Sequence, residues 1–363
     1  MRIKITLSAD KSGIIDFNYQ HQLQAIIYEF LFKSNPDYSS WLHEQGYVYK
    51  NDKRFKFFVF SGITFHKQIK IISSNNTNHS NNVANQYTLE ASPLLTKEGI
   101  EGRLKSRKIQ RDSEQRSNTF SSSNGFSFKS SQTNPFTFSF QIASPVDKFI
   151  QHLIDGIFEE GQEIKLGRQT LSISQVETLE NSLSSIPYPA HPVHPCEYTL
   201  TLKPLESPIF IKKPMPSGQR DLYLFPGDEG YAEFLNQNLL HKYETLYGKA
   251  FEGEPLKFNF HTIKGKSVKQ FTVFKKGVDG SMKPINIKGT LQPFTVSGSK
   301  ELIKIGLECG FGQNNSMGCG YVEINRDAQA ILLPLPFMCG CGYVEINRDA
   351  QDRQDTFAET GLK

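Results

Sequence analysis

Between Gly306 and Gly320 the chain reads GLECGFGQNNSMGCG, with two Gly-x-Gly pairs, Gly310/Gly312 and Gly318/Gly320. Such density predicts backbone at positive φ, or backbone lying close to another group, because glycine's entropic cost needs an offsetting use of its missing Cβ. Two familiar phosphate loops do not fit. A Gly-Lys-Ser/Thr ending is missing, and Asn315 stands where a dinucleotide fingerprint needs its third glycine. A glycine-rich hairpin without a ligand is the bland alternative. The second chemical feature is charge. Pro255–Lys304 holds ten lysines, Lys264, Lys266 and Lys269 among them, against Asp279 and Glu301, in a chain whose net charge is only +4. Phe258, Phe260, Phe271 and Phe274 are interleaved with them. That pattern belongs to a polyanion-binding face or to a solvated, lysine-rich sheet. The five cysteines contain no Cys-x-x-Cys pair, so neither a disulfide framework nor a metal site is expected, and no cofactor is implied.

The elements that must carry these residues follow from periodicity. A chain of 363 residues suits about two domains. Its mean hydropathy of −0.43 and the lack of any long apolar run predict no membrane span, and the N-terminus lacks a signal-peptide core, so a cytoplasmic location is the default. Residues 1–8 alternate like a strand. From Asn18, the expected N-cap, Leu23, Ile26, Ile27, Phe30 and Leu31 mark an amphipathic helix that ends before Pro36. A short helix spans Tyr38 to Glu44, and FKFFVFSGI and FHKQIKIIS read as strands. Residues 74–134 are Asn/Ser-rich and polar, the composition of a disordered insertion that cannot bury a core. A strand from Phe136, a helix after Pro145 and paired strands then complete a first α+β unit, 1–183. The proline-rich stretch 184–196 reads as a linker. A second β-α-β-β-like unit, 197–325, includes LIKIGLECGFG as a strand leading into the glycine loop, 306–320. Residues 326–363 form a tail in which GCGYVEINRDAQ of 318–329 recurs unchanged at 340–351. Two such units predict an α+β fold of tandem ferredoxin-like (RRM-like) domains, the first carrying the disordered insertion.

Several stretches, taken in order, resemble one family. GLECGFGQNNSMGCGYVEI is similar to the C-terminal glycine loop of the RAMP superfamily of CRISPR-associated proteins. LQAIIYEFL, SSWLHEQGY, KFFVFS, KFIQHLIDGIFEEG and SPIFIKK narrow the resemblance to the repeat-RNA-processing endoribonucleases, the Cas-six family. It spans nearly the whole chain, apart from 74–134 and the tail. The family implies tandem ferredoxin-like domains and metal-independent cleavage within CRISPR precursor RNA repeats. The RNA's own 2′-OH attacks the scissile phosphate, leaving a 5′-OH and a 2′,3′-cyclic phosphate. The protein then supplies a proton acceptor, a proton donor and a cation or hydrogen-bond donor for the phosphorane. The resemblance places these roles on Tyr28, His43 and Lys56, with Lys53 as the other candidate lysine. It also implies that Gly310, Gly312, Gly318 and Gly320 let backbone N–H groups approach RNA phosphates. Lys264, Lys266 and Lys269 add salt-dependent affinity, and the site lies between the glycine loop and the first helix. The partner is precursor repeat RNA, with effector-complex subunits and a second copy of the chain as further partners; no membrane partner is expected. The rival reading is a non-catalytic RNA-binding RAMP subunit of an effector complex, since such proteins share the fold and the loop.

Overall fold

A computed structural model describes residues 1–50, 53–72, 88–89, 125–159, 163–179, 198–215, 222–262, 267–276 and 281–325. The chain opens with β1 (Arg2–Ala9), β2 (Gly13–Asp16), α1 (Gln20–Ser34) and α2 (Pro36–Glu44). Short strands follow: β3 (Tyr47–Val48), β4 (Arg54–Phe55), β5 (Val59–Phe60), β6 (Thr64–Phe65), β7 (Ile69–Ile72), β8 (Thr88–Leu89) and β9 (Gly125–Phe128). Next come β10 (Phe136–Ala143), α3 (Asp147–Ile157), β11 (Ile164–Leu166) and β12 (Gln169–Leu179). The second half holds β13 (Tyr198–Pro204), β14 (Ile211–Lys213), β15 (Leu222–Leu224), α4 (Tyr231–Tyr247) and β16 (Lys257–Phe260). It continues through β17 (Val268–Lys276), β18 (Met282–Thr290), β19 (Phe294–Gly298), α5 (Lys300–Cys309) and β20 (Val322–Ile324).

Each half builds an antiparallel sheet of the ferredoxin-like order. In the first, the path is β11-β12-β1-β10-β5, with β6 also pairing β10. In the second, it is β16-β19-β13-β20. In both, the first strand lies between the third and the fourth, and the two crossover helices cover the sheet. The first core forms under α1 and α3, around Leu7, Leu23, Phe30, Phe138, Phe140 and Phe149. The second gathers Leu202, Leu235, Leu239, Phe294, Ile303 and Phe311. Residues 1–325 pack as one compact unit. Arg2 on β1 ties the halves together, since its buried guanidinium donates to the carbonyls of Leu307 and Val322, each at 2.8 Å.

Three sequence expectations need correction. LIKIGLECGFG is not a strand: Lys300–Cys309 is α5, capped by the Ser299 hydroxyl accepting from the Glu301 amide at 3.2 Å. Leu302, Ile303 and every residue from Ile305 to Cys309 are buried; Lys300, Glu301 and Lys304 form the one polar edge, and the aliphatic run between them masks its helical spacing. Within 74–134, Gly125–Phe128 forms β9, which pairs β2 and β7 and buries Phe126 and Phe128. Its two phenylalanines supply the apolar contacts that the surrounding polar composition hides. The N-cap of α1 is Tyr19 rather than Asn18, whose side chain accepts from the Thr272 amide at 3.2 Å. Residues 74–87 and 90–124 of the insertion, the linker 184–196 and the tail from Arg326 lie outside the described residues.

Candidate active site

The apolar stripe of α1 fixes where Tyr28 goes. Leu23, Ile26, Ile27, Phe30 and Leu31 are all buried, and Tyr28, about 100° round from Ile27, is left half-buried at the stripe's edge. α2 starts at once, because Asn35 is extended before Pro36 and its side chain accepts from the Tyr38 amide at 2.8 Å. The Ser39 hydroxyl donates to the Tyr28 carbonyl at 3.2 Å and so ties the two helices side by side. His43, exposed on the last turn of α2, then meets Tyr28 edge to face with ring centroids 5.0 Å apart. Both line a cleft of about 340 Å³ between the helices. α1 contributes Ala25, Tyr28, Glu29 and Phe32, one stripe at helical spacing; α2 contributes Ser39, Ser40, His43 and Glu44.

Lys56 arrives by a turn that depends on Gly46. The amides of Gln45 and Gly46 both reach the Trp41 carbonyl, at 2.8 and 2.9 Å, and Gly46 has φ 64°. A Cβ there would stand 2.6 Å from the Phe55 carbonyl oxygen, so only glycine lets β4 pass this close. Phe55 and Phe57 are buried in the second core, and Lys56 between them turns back to α2. Its Nζ donates to the carbonyls of Leu42 and His43, the latter at 2.7 Å. Arg54 Nη1 donates to the Glu44 carbonyl at 2.9 Å. These are helix-end carbonyls with no intrahelical partner, and two cations now satisfy them. Burial first, then the Arg54 charge, brings Lys56 down to about 8, with Glu44 partly offsetting. Burial raises the Tyr28 phenol, which therefore stays protonated and acts as a donor. Lys53 goes elsewhere: its Nζ lies 3.0 Å from His241 Nδ1 on α4. The fold thus brings together Tyr28, His43 and Lys56, and leaves Lys53 out.

The glycine loop has the backbone its sequence predicts, for a different immediate reason. Gly310, Gly312, Gly318 and Gly320 have φ of 83°, 76°, 85° and 81°. All four are buried, and a Cβ would meet the protein itself: 1.9 Å from the Phe311 carbonyl at Gly320, and 2.6 Å from the Phe210 carbonyl at Gly312. The amides of Gly318 and Gly320 are used internally, on the carbonyls of Asn315 (3.1 Å) and Pro208 (3.0 Å). An open nest built from these two amides is therefore corrected to a tightly folded loop, whose exposed residue is Asn314. Lys242 on α4, fully buried, donates to the carbonyls of Gly310 and Gly312 at 2.7 and 2.9 Å. The loop touches α1 at Gln20, beside Gly318, and Tyr28 lies eight residues further on, about 12 Å along the axis. The expected site between loop and helix is therefore shifted toward the C-terminal half of α1. Lys269 is not a free phosphate ligand, since it pairs with Glu206 at 3.0 Å and donates to that residue's carbonyl. Lys264 and Lys266 lie outside the described residues.

Comparison with known proteins assigns this architecture. Residues 14–116 match the family model described as CRISPR-associated protein Cas6, N-terminal, and residues 193–324 match that described as CRISPR associated protein Cas6, C-terminal. The chain belongs to the Cas6 family. The N-terminal Cas6 match contains Tyr28, His43 and Lys56, and the C-terminal one contains the whole glycine loop. The chain is 26% identical over 328 residues to a CRISPR-associated endoribonuclease Cas6 1 of Methanocaldococcus jannaschii, covering 89% of this chain and 92% of that one. It is 26% identical over 188 residues to a putative CRISPR-associated endoribonuclease-like protein Cas6 of Pyrococcus furiosus, covering 51% and 67%. Among solved structures, a Cas6-related protein of Pyrococcus furiosus has a TM-score of 0.56 at 20% identity, covering 90% of this chain and 99% of its own. A RAMP protein described as binding different RNA substrates has a TM-score of 0.55 at 18% identity, covering 89% and 99%. These two likenesses carry the fold, α+β with RAMP-type ferredoxin-like halves.

Four residues of this Cas6 chain with a part in the site escaped the sequence reading. Gly46, straight after WLHEQ, is a helix-stop signal that can be read from the sequence. Arg54, Phe32 and Lys242 carry no local signal, because each acquires its role from an element distant in sequence or from a neighbouring helix.

Proposed function

We propose that this chain is an endoribonuclease that cuts CRISPR precursor RNA within its repeats, without a metal, leaving a 5′-OH and a 2′,3′-cyclic phosphate. The observation that carries this reading is that Tyr28 and His43 meet at one cleft between α1 and α2, while the Lys56 ammonium is anchored beside it on the carbonyls of Leu42 and His43. RNA brings its own nucleophile, so acid–base groups and a donor to the phosphorane suffice. His43 is exposed and moves the proton of the 2′-OH, or returns it to the leaving 5′-oxygen. Tyr28 stays a neutral phenol, which suits it to orient the reacting hydroxyl by donating a hydrogen bond. An ammonium has three N–H donors, and Lys56 uses two on carbonyls of α2. The third is free to meet a phosphorane oxygen. The two ferredoxin-like halves, 1–183 and 197–325, act in this proposal as one RNA-binding body, with the loop apex around Asn314 rather than the buried glycines meeting RNA.

The test is single-turnover cleavage of matching repeat RNA in EDTA, with the product ends analysed. Wild type should cut and leave a cyclic phosphate. His43→Ala should slow cleavage by about 10²–10⁴-fold while repeat affinity stays within a few-fold, because affinity is spread over many phosphate contacts. Cutting by His43→Ala at the wild-type rate sinks the catalytic assignment. Binding by a wild-type protein that never cuts favours the RNA-binding subunit, and loss of cutting in EDTA alone contradicts the metal-free chemistry.

A further inference from the structure

Phe32 is the feature of the cleft that proton transfer does not use. It follows Tyr28 by one helical turn and is 55% exposed, on a helix whose other phenylalanine, Phe30, is 1% exposed. Covering that ring with a flat apolar surface would be favourable, and it is the largest exposed apolar side chain lining the cleft. The other residues around it narrow what that surface is. Glu29 and Glu44 line the same cleft, and Glu29 is held by an ion pair to Lys33 at 3.3 Å. Glu29, though paired with Lys33, and Glu44 make the cleft a poor seat for a phosphate, which leaves its floor to an uncharged group of the RNA. The cations that suit a phosphate, Lys56 and Arg54, sit instead at the end of α2. A carboxylate accepts N–H donors, and the hydroxyl of Ser40, exposed on α2, adds a donor and acceptor. The volume, about 340 Å³, is at the small end of ligand clefts and suits one flat ring rather than a stretch of chain.

We infer that the cleft is a nucleobase subsite, in which Phe32 stacks the base next to the scissile phosphate and Glu29 or Glu44 accepts a hydrogen bond from its exocyclic amine. This rests on the nuclease reading above and deepens it. Base stacking on Phe32 holds the sugar that carries the attacking 2′-OH against Tyr28 and His43, so Phe32 is a positioning residue. The amine contact favours adenine, guanine or cytosine over uracil, which offers no amino group.

The experiment pairs protein and RNA changes in single-turnover cleavage. Phe32→Ala should lower kcat/KM by about 5- to 150-fold, the range that loss of one base–aromatic stack produces. Phe32→Tyr should restore the rate, and Phe32→Leu, apolar but without a ring, should not. Thermal melts check that the variants stay folded. Repeat RNAs made abasic at each nucleotide flanking the cut should reveal one position whose loss matches that of Phe32→Ala. Combining the two should cost no more than either alone. Replacing that nucleotide by uridine should cost rate as well, and Glu29→Gln or Glu44→Gln should blunt the discrimination. Wild-type cutting with an unimpaired Phe32→Ala, or losses that multiply at every abasic position, overturns this inference and leaves the nuclease reading standing. A wild-type protein that cuts no repeat RNA overturns both.

Discussion

Lys56→Met separates a catalytic cation from a structural one. In the folded protein the Lys56 ammonium commits two N–H groups to the carbonyls of Leu42 and His43, leaving one for the substrate. Losing one preorganised donor to a charged transition state typically costs about 10²–10³ in kcat. That is the loss expected for Lys56→Met at pH 7. Stability should fall by about 1–3 kcal/mol, because the carbonyls of Leu42, a fully buried residue, and His43 lose their donor. The pH dependence makes the prediction sharper. Burial brings Lys56 down to about 8, and a neutral amine keeps only two N–H groups, both already used. Above pH 8 the donor for the phosphorane is gone while the hold on α2 persists. The assay is single-turnover cleavage of repeat RNA from pH 6 to 10, reported as the ratio of wild-type to Lys56→Met rates. Taking the ratio cancels the faster background cleavage of RNA in alkali. It should be flat below pH 8 and fall by about tenfold per unit above it. A ratio that stays large and constant to pH 10 would falsify the third-donor argument and make Lys56 a positioner of His43 alone.

Two further outcomes test the loop. Gly320→Ala places a Cβ 1.9 Å from the Phe311 carbonyl at φ 81°, and should cost at least about 2–4 kcal/mol in chemical denaturation. Gly227→Ala, at φ 99° with nothing within 4 Å, should cost about 1 kcal/mol, and equal losses in the two variants would contradict the close-packing account. Burial lowers Lys242 from 10.5 to about 7. Between those values the unfolded chain binds the proton and the folded one does not, so this group's contribution to stability is greatest above pH 10.5 and is lost as pH falls toward 7. The slope is at most about 1.4 kcal/mol per pH unit. Lys242→Met should remove that slope from denaturation curves taken from pH 7 to 10, and an unchanged slope would show that the proton stays on in the fold.

Local pattern was enough wherever one face of an element meets water. The α1 stripe, the position of Tyr28 at its edge, the break at Pro36 and the positive φ of the four loop glycines all follow from short-range sterics and periodicity. The family resemblance rests on those same segments, and it carried Tyr28, His43 and Lys56 into one hypothesis. What periodicity lacked was a signal strong enough for elements that are mostly covered. α5 looked like a strand because the aliphatic run 302–307 is broken only by Lys304 and Gly306, and β9 hid in polar surroundings because its two buried phenylalanines pair with strands far away in the chain. Charge was the least legible quantity. Lys269 reads in sequence as part of a basic face, and Lys242 carries no local sign of burial. In the fold, one is tied to Glu206 and the other is buried beneath the glycine loop, because a lysine's role depends on which carbonyls and carboxylates tertiary contacts bring to its reach. The choice between Lys53 and Lys56 had the same origin: burial of Phe55 and Phe57 on either side of it turned Lys56 to the end of α2, and Lys53 was drawn away to His241 on α4.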